Sequence, residues 1–583
     1  MSSIRRNDRC KMLFPVLALT ATPLCLAGGS MHPEHAPHAM VVSMHELASQ
    51  AGVEVLKQGG NAVDAAVATG FALAVVLPEA GNIGGGGFML IRTHEGATHF
   101  LDYRETAPER ASETMYQDAK GNVIPGLSTI GYKAVGVPGS VKGLVYAEQH
   151  FGKLNLTQVM QPAIRLAREG YALSWSEAQA LSAEPDLARF PDSKRIFQNE
   201  GRGWHQGDVF KQPVLAHTLE RIAASPDEFY RGAMAKEIVD FIQAGGGIMS
   251  ASDLARYEVK DRTPVRGSYR GLEIISAPPP SSGGTTLIES LNILEGFDVK
   301  RAGLDSARAI HLLAEVYRRA FMDRALFMGD PDFSNVPIAH LIDKTYATAW
   351  RSSIDPARPS PSQQLVRPAT FPELDRYAAS HPVLPHKQPN HTTHYSVVDA
   401  DGNAVATTTT INDDYGSRVT VGSLGFLLNN EMDDFAAKVG SPNMYGLIQG
   451  DSNAVGPGKR PLSAMTPTIV LKGGKLWLVL GAEGGPTIIT SVANVIVGVQ
   501  DFGLDIQEAV NSARIHQQWL PDDVKLEPGR ISPDTVRLLE HTANHVVPSD
   551  LVGDSECIEV DLATGERLGA SDWRNESGKA VGY

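Results

Sequence analysis

The chain has 583 residues, of which 42% are hydrophobic and 20% are charged, and its formal net charge is −14 at pH 7. These proportions are ordinary for a globular protein, and the length is enough for several average domains. An acidic surface of this kind disfavours non-specific binding to nucleic acid or to anionic lipid. We therefore predict a globular protein without a nucleic-acid partner.

The N-terminal segment has the pattern of a secretory signal peptide. Four basic residues lie within residues 5–11, and residues 12–27 form an apolar run that contains Pro15 and Pro23. This run is short for a membrane span. We predict that residues 1–27 are removed on export, which places the protein in a bacterial periplasm or outside the cell with no stable membrane span.

The sequence gives no indication of a disulfide or a metal site. Two of the three cysteines lie in the predicted signal peptide, so only Cys557 remains, inside a predicted strand. His32, His35 and His38 follow the signal peptide and are residues of a type that can bind metal, but a mobile N-terminal tail is the expected structure there. We predict that the protein uses neither a metal ion nor an organic cofactor.

The first two thirds of the chain are mainly helical in pattern. Residues 61–77 predict a buried helix, and residues 307–328 predict a second long one. Between them, residues 81–87 form a glycine-rich turn that a strand follows at residues 88–91. A strand after the glycines argues against a phosphate-binding loop. A polar, proline-rich stretch at residues 356–390 predicts a surface connection.

The pattern changes to β-hairpins after this connection. Each predicted hairpin has two short strands joined by a turn that contains glycine. The strand pairs are residues 395–398 with 404–410, 468–471 with 476–480, and 557–560 with 567–568. A helical region followed by hairpins predicts sheets that are covered by helices.

One polar segment, residues 390–399, carries the strongest candidate for chemistry. By itself it is a threonine-rich loop that enters a strand, which is a common feature. The chain has no G-x-S-x-G motif and no H-E-x-x-H motif, so a serine hydrolase elbow and a zinc helix are excluded. Further polar and glycine-rich motifs follow at residues 407–412, 427–435, 459–463 and 481–485.

With these motifs the chain resembles the γ-glutamyltransferase family. The resemblance covers nearly the whole mature chain and includes the motifs at residues 60–66, 84–87, 103–108, 136–139 and 569–572. It implies an α/β (α+β) N-terminal-nucleophile hydrolase fold of four layers, αββα, in which a large subunit pairs with a small subunit cut from the same precursor. The large subunit would be residues 28–391 and the small subunit residues 392–583.

The resemblance also implies a mechanism. Autocatalytic cleavage between His391 and Thr392 would free the amine of Thr392, which can then activate the hydroxyl of the same residue. An N-terminal amine titrates near neutral pH and can act as this base, so no Ser-His-Asp set is needed. Thr392 would attack glutathione or another γ-glutamyl compound, and water or an amino-acid or peptide acceptor would resolve the γ-glutamyl-enzyme.

Each remaining site residue is assigned by its match to a family motif. Thr410 would orient Thr392, and the N–H groups of Gly484 and Gly485 would bind the oxyanion. The substrate α-carboxylate and α-ammonium groups would be bound by two sets, Arg104 with Ser463, and Asn412 with Glu431 and Asp434. Taken singly, these residues have ordinary alternatives, such as a surface ion pair, a helix cap or a turn.

The chain departs from the family pattern at four positions. Ala464 stands where many members have a second serine, and Glu483 and Pro486 flank the paired glycines. His391, before the predicted cut, also differs from some members. These departures affect affinity and acyl-group preference more than the class of reaction.

Two other functions remain open at this stage. One is a cephalosporin acylase-like amidase for glutaryl amides, which lack the α-ammonium group. The retained Asn412, Glu431 and Asp434 argue against it, since two carboxylates facing an uncharged chain would have no role. The other is a processed but inactive binding protein, which the complete set of Thr392 and its partners argues against.

Overall fold

Two seven-stranded antiparallel sheets form the centre of the protein. The computed structural model describes residues 31–368, 392–549 and 553–583. The predicted signal peptide, the second part of the 356–390 connection and His391 lie outside the described residues. The strands of the first sheet, in spatial order, are Lys579–Gly582, Met40–Ser43, Thr393–Val398, Ala404–Thr410, Gly86–Arg92, Thr98–Asp102 and Lys260–Arg262. Those of the second sheet are Glu34–Ala36, Arg567–Ser571, Glu556–Val560, Lys475–Leu480, Thr468–Lys472, Leu272–Ser276 and Val265–Tyr269.

The side chains of the first sheet alternate between two cores. Val41 and Val397 belong to a core shared with N-terminal helices, whereas Val42 and Leu90 belong to a core shared with the second sheet. Successive residues of a strand point to opposite faces, so a sheet that is buried on both sides needs apolar residues at successive positions. The order of the layers is therefore helices, sheet, sheet, helices.

Helices cover the outer face of each sheet. Ala62–Val76 packs against the first sheet, and Gly283–Leu294 and Thr487–Val497 pack with the second. In the part of the chain that the structure describes, the helices are Glu46–Lys57, Ala62–Val76, Ser140–Phe151, Leu156–Glu169, Trp175–Ala183, Pro191–Phe197, Pro213–Ala224, Glu228–Arg231, Ala233–Ala244, Ala251–Arg256, Gly283–Leu294, Val299–Ala302, Ala307–Phe327, Ile338–Leu341, Lys344–Ser352, Thr487–Val497, Ile506–Asn511 and Pro533–His541. Within the described residues, no helix is both long enough and apolar enough to cross a bilayer.

The structure confirms the predicted helices and hairpins, with the helices slightly shorter than predicted and most of the strands longer. The buried helix is Ala62–Val76, and Asn61 caps it by accepting hydrogen bonds from the Val63 and Asp64 N–H groups. Every residue of this helix is buried, as its apolar composition requires. The second long helix is Ala307–Phe327, and all three predicted hairpins are present.

The prediction of a mobile tail after the signal peptide is wrong for His35. Glu34–Ala36 forms an edge strand of the second sheet, where His35 pairs with Leu568. The strand has three residues and only one of them is buried, so it offers no periodicity to detect in the sequence. Cys557 is buried in its strand as predicted.

Candidate active site

Strand register places Thr392 beside Thr410. Thr393 pairs with Thr409 across the Thr393–Val398 and Ala404–Thr410 hairpin, and Thr392 precedes the first of these strands. The Oγ1 atoms of Thr392 and Thr410 are 3.4 Å apart. Thr392 is 6% exposed. The hydroxyl of the candidate nucleophile therefore has a fixed neighbour at the end of a central strand.

The glycine-rich turn explains how the chain approaches Thr410 so closely. A Cβ atom at Gly85 would lie 2.1 Å from the Thr410 carbonyl oxygen, and one at Gly84 would lie 2.1 Å from that of Leu427. Real Cβ atoms do not approach other heavy atoms to this distance, so only glycine allows this contact. The glycine-rich turn therefore packs directly against the backbone of Thr410.

Gly484 and Gly485 form a sharp turn at the start of a helix. Their φ angles are 119° and 56°, both in the region that favours glycine, and the helix Thr487–Val497 begins two residues later. Among the described residues neither N–H donates a hydrogen bond. N–H groups that lack a partner at the positive end of a helix can stabilise an oxygen atom on which negative charge develops during a reaction.

Arg104 lies among buried carboxylates. Its side chain is completely buried, so a surface ion pair is excluded. The guanidinium donates from Nη1 to Glu431 and from Nη2 to Asp434, and Glu105 lies 3.7 Å from Nη1. Three buried carboxyl groups therefore share one guanidinium at this side of the pocket.

Burial changes the acidity of these carboxyl groups. It raises the pKa of Glu105 to about 7, against the opposing attraction of Arg104. Burial also raises the pKa of Glu431 and of Asp434, and Arg104 lowers both in part. Glu431 Oε2 and both oxygens of Glu105 accept no hydrogen bond from the described residues. A cationic group of a substrate would satisfy such oxygens.

Asn412 is held in a left-handed conformation beside the threonines. Its φ angle is 80°, and its backbone N–H donates to Thr410 Oγ1 at 2.9 Å. Its amide donates from Nδ2 to the Asn430 carbonyl at 3.0 Å and accepts from the Tyr445 hydroxyl at 2.7 Å. Sequence analysis missed Tyr445, because a tyrosine in a loop has no spacing that predicts this contact.

Most of the predicted site residues meet at one pocket. Its lining includes Arg104, Thr392, Thr410, Asn412, Glu431, Asp434, Ser463 and Gly485, together with Ala464. Gly484 lies next to this lining, and His391 is outside the described residues. The pocket also contains Tyr445 and Arg324, which sequence analysis did not select. Residues from distant parts of the chain thus line the pocket that contains Thr392.

Two facing sheets between helices, with the candidate nucleophile at the start of a central strand, define the N-terminal-nucleophile hydrolase class. The family of gamma-glutamyltranspeptidases matches residues 48–582. The chain belongs to this family, and it is an enzyme of the autoprocessed γ-glutamyl transpeptidase and hydrolase type.

Two known proteins are similar to the chain over almost its full length, and a third is similar over about half of it. The chain is 45% identical over 586 residues to a glutathione hydrolase proenzyme from Pseudomonas sp. (strain A14), which covers 97% of this chain and 99% of the relative. The cephalosporin acylase from Bacillus halodurans has a TM-score of 0.81 at 26% identity, over 98% of this chain and 99% of that chain. One chain of the Helicobacter pylori gamma-glutamyltranspeptidase is 46% identical with a TM-score of 0.54, over 55% of this chain and 93% of that chain.

Proposed function

We propose that the precursor is cut between His391 and Thr392 and that Thr392 then transfers γ-glutamyl groups from donors such as glutathione to water, amino acids or peptides. The observation that carries the proposal is the Thr392 hydroxyl, which lies 3.4 Å from that of Thr410 in a pocket that also contains Gly485 and buried carboxylates. The large subunit would be residues 28–391 and the small subunit residues 392–583. The solved Helicobacter pylori chain supports two subunits, because it is matched over 93% of its length but over only 55% of this one.

The base that activates Thr392 would be its own amine once the cut has been made. Among the described residues, the histidine nearest to Thr392 in the sequence is His394, and burial lowers its pKa to about 3. Its ring nitrogens are 2.8 Å from Thr408 Oγ1 and 3.1 Å from Ser396 Oγ, so both already have partners. The freed α-amine, directly or through water, is the group that would take the hydroxyl proton. Thr410 would orient the hydroxyl.

The N–H groups of Gly484 and Gly485 would stabilise the tetrahedral intermediate. Attack on the γ-carbonyl places negative charge on its oxygen, and the helix Thr487–Val497 presents its positive end there. Removing one such donor commonly costs about 3 kcal/mol of transition-state stabilisation. The released amine would leave with a proton returned by the Thr392 amine, and the γ-glutamyl ester would pass to water or to an acceptor amine.

The charged side chains would select the γ-glutamyl group. Asn412, Glu431 and Asp434 would bind its α-ammonium group, since Glu431 Oε2 lacks a hydrogen-bond partner among the described residues. Arg104 and Ser463 would bind its α-carboxylate. Both ends of the zwitterion would then be fixed while its γ-carbonyl lies at Thr392.

A glutaryl amidase is the second candidate. Its support is Ala464, which lines the pocket where many family members have a second serine hydroxyl. A glutaryl group keeps the distal carboxylate of a γ-glutamyl group but has a methylene in place of the carbon that bears the ammonium. The buried carboxyl groups of Glu105, Glu431 and Asp434 disfavour such a chain, because it would supply no second cation besides Arg104.

Hydrolysis of paired anilides tests the proposal. We expect the purified parent to release the aniline faster from the γ-glutamyl anilide than from the glutaryl anilide. A faster reaction with the glutaryl compound would favour the amidase, and no reaction with either would favour an inactive binding protein. Thr392→Ala should abolish both reactions and serves as the control for contaminating activity.

The proposed site of action is the bacterial periplasm or the cell exterior. The support is the signal-peptide pattern of residues 1–27. Cell fractionation should recover the activity outside the cytoplasm, with a large fragment that lacks these residues. Recovery of a fragment that begins at Met1 in the cytoplasm would contradict export.

A further inference from the structure

A short antiparallel ladder lies directly before the paired glycines, and its central pair is Ala482 with Ser555. On the side next to the glycines, the Glu483 N–H donates to the Asp554 carbonyl at 2.8 Å. On the other side, the Glu556 N–H donates across the ladder at 3.2 Å. The glycine pair is thus the direct continuation of this 482–555 ladder.

The second segment of the ladder also touches the backbone of the glycine pair. A Cβ atom at Gly484 would lie 2.8 Å from Gly553 Cα, and a Cβ atom at Gly553 would lie 2.6 Å from the Glu483 carbonyl oxygen. Segments packed this closely cannot move independently of each other. A change in their separation would therefore move the N–H groups of Gly484 and Gly485.

Two acidic side chains face each other across the ladder. Glu483 follows the central pair and Asp554 precedes it, so the register places them opposite each other. Cβ atoms of opposed residues lie about 4.5–5.5 Å apart, and like charges at such positions are destabilising. Glu556 is two positions from Asp554 and therefore on the same face. Its Oε2 is buried without a hydrogen-bond partner among the described residues, and burial raises its pKa well above the ordinary value.

The cations near this face are already paired. The charges of Arg514 and Arg574 act on Asp554, but both guanidinium groups donate to Asp572, at 2.9 Å and 2.7 Å. Asp572 itself adds a negative charge that acts on Asp554. Burial, and then the charge of Glu483, raise the pKa of Asp554 well above its ordinary value. Asp554 therefore stays neutral to a higher pH than a free carboxyl group does.

We propose that Glu483 and Asp554 form a positioning pair for the turn of Gly484 and Gly485, which holds the N–H groups in place until both side chains are ionised. This inference rests on the proposed function, in which these N–H groups stabilise the tetrahedral intermediate. Neither acidic side chain lines the pocket of Thr392, so the pair acts on the reaction through the backbone. Repulsion between two carboxylates lengthens the bond from the Glu483 N–H to the Asp554 carbonyl and turns the glycine N–H groups away from the oxyanion.

The pH profile of kcat tests this pair. Formation and breakdown of the γ-glutamyl-enzyme each pass through an oxyanion, so kcat of the parent for the γ-glutamyl anilide should fall by about tenfold at alkaline pH, part of the hundredfold or more that loss of one donor causes. In Glu483→Gln and in Asp554→Asn the fall should be less than about twofold, because one partner is neutral at every pH. The donor titrates identically in parent and variants, so it cannot explain a difference. KM should change less than kcat, because the pair does not contact the donor.

Glu559→Gln is the matched control. Glu559 lies on the same strand as Glu556, burial raises its pKa, and it accepts a hydrogen bond from Trp477 Nε1 at 3.0 Å. This variant should keep the alkaline fall of the parent. A fall that persists in Glu483→Gln, or that Glu559→Gln also removes, would overturn the proposal. A loss of kcat in Glu483→Gln that is the same at every pH would show a purely structural role and overturn it as well.

Amide hydrogen exchange measures the ladder without reference to activity, and it applies equally to a variant that remains uncut. At alkaline pH the peptide that contains residues 481–485 should exchange faster in the parent than in Glu483→Gln, whereas at about pH 6 the two should exchange alike. Equal exchange at both pH values would contradict the proposal. An exchange difference in a parent without γ-glutamyl activity would instead contradict the proposed function, while supporting the pair as the device that moves the turn.

Discussion

At the scale of single residues, the main feature of the pocket is a group of buried carboxyl groups, whose charged forms are destabilised by burial. Glu105, Glu431 and Asp434 lie together with one guanidinium, although burial alone favours their neutral forms. Such an arrangement is unfavourable for stability unless another cation enters. Under the proposed function, the α-ammonium group of a γ-glutamyl donor would be this cation. The carboxylate oxygens that lack a hydrogen-bond partner among the described residues would then bind substrate at a cost to the stability of the fold.

Replacing Arg104 by lysine tests this arrangement. A point-charge ammonium cannot contact Glu431 and Asp434 with the two-pronged geometry of the guanidinium. We expect Arg104→Lys to raise KM for γ-glutamyl donors, measured by anilide hydrolysis, while cleavage before Thr392 continues. Equal KM values in variant and parent would remove Arg104 from substrate recognition.

The raised pKa of Glu105 predicts a pH dependence of donor selection. Below its pKa of about 7 this carboxyl group is neutral and attracts the donor ammonium less. The ratio of kcat/KM for the γ-glutamyl anilide to that for the glutaryl anilide should therefore rise as pH increases through about 7. Dividing the two values cancels the titration of the Thr392 amine, which acts on both donors. A ratio that is constant with pH, or one that is unchanged by Glu105→Gln, would contradict this assignment.

At the scale of elements, the site depends on close contact between the glycine turn and the central hairpin. Part of this was predictable. The pattern of short strands joined by glycine-containing turns indicated the hairpins, and the resemblance selected Thr392 and Thr410. The pairing of strand Ala404–Thr410 with strand Gly86–Arg92 could not be predicted, because strands more than 300 residues apart in the sequence leave no local pattern. Arg324 was missed for a related reason, since it lies on a long buried helix whose apolar pattern indicates only core.

Gly85→Ala tests the contact between the turn and the hairpin. Its Cβ would lie 2.1 Å from the Thr410 carbonyl oxygen, so the strand that carries Thr410 would have to move. We expect slower or absent cleavage before Thr392 and a lower melting temperature. Gly456→Ala is the control, because the nearest atom there is the flexible Lys459 Cδ at 2.9 Å. Normal cleavage in Gly85→Ala would show that the close approach is unnecessary.

At the scale of the whole molecule, the two proposed subunits are interleaved in one sheet. Thr393–Val398 pairs with Met40–Ser43 on one side, and Ala404–Thr410 pairs with Gly86–Arg92 on the other. The C-terminal strand Lys579–Gly582 also pairs with Met40–Ser43. Separating the subunits would therefore expose both cores and break the central hydrogen bonds of the first sheet.

This interleaving predicts that the cleaved fragments stay together. In native size-exclusion chromatography both fragments should elute in one peak at the position of the intact chain or of a larger assembly. They should separate only in denaturant, because dissociation is equivalent to unfolding. Elution of a folded small fragment by itself would contradict the interleaved arrangement.

The central claim is that Thr392 becomes an N-terminus and then carries the acyl group. Intact-mass analysis of the purified protein, before and after brief exposure to a γ-glutamyl donor, tests it most directly. We predict a small fragment of residues 392–583 that begins Thr-Thr-His-Tyr and gains the mass of one γ-glutamyl group, and a single uncut chain for Thr392→Ala. A fully active protein that remains uncut, or an acyl group located on another residue, would contradict the account.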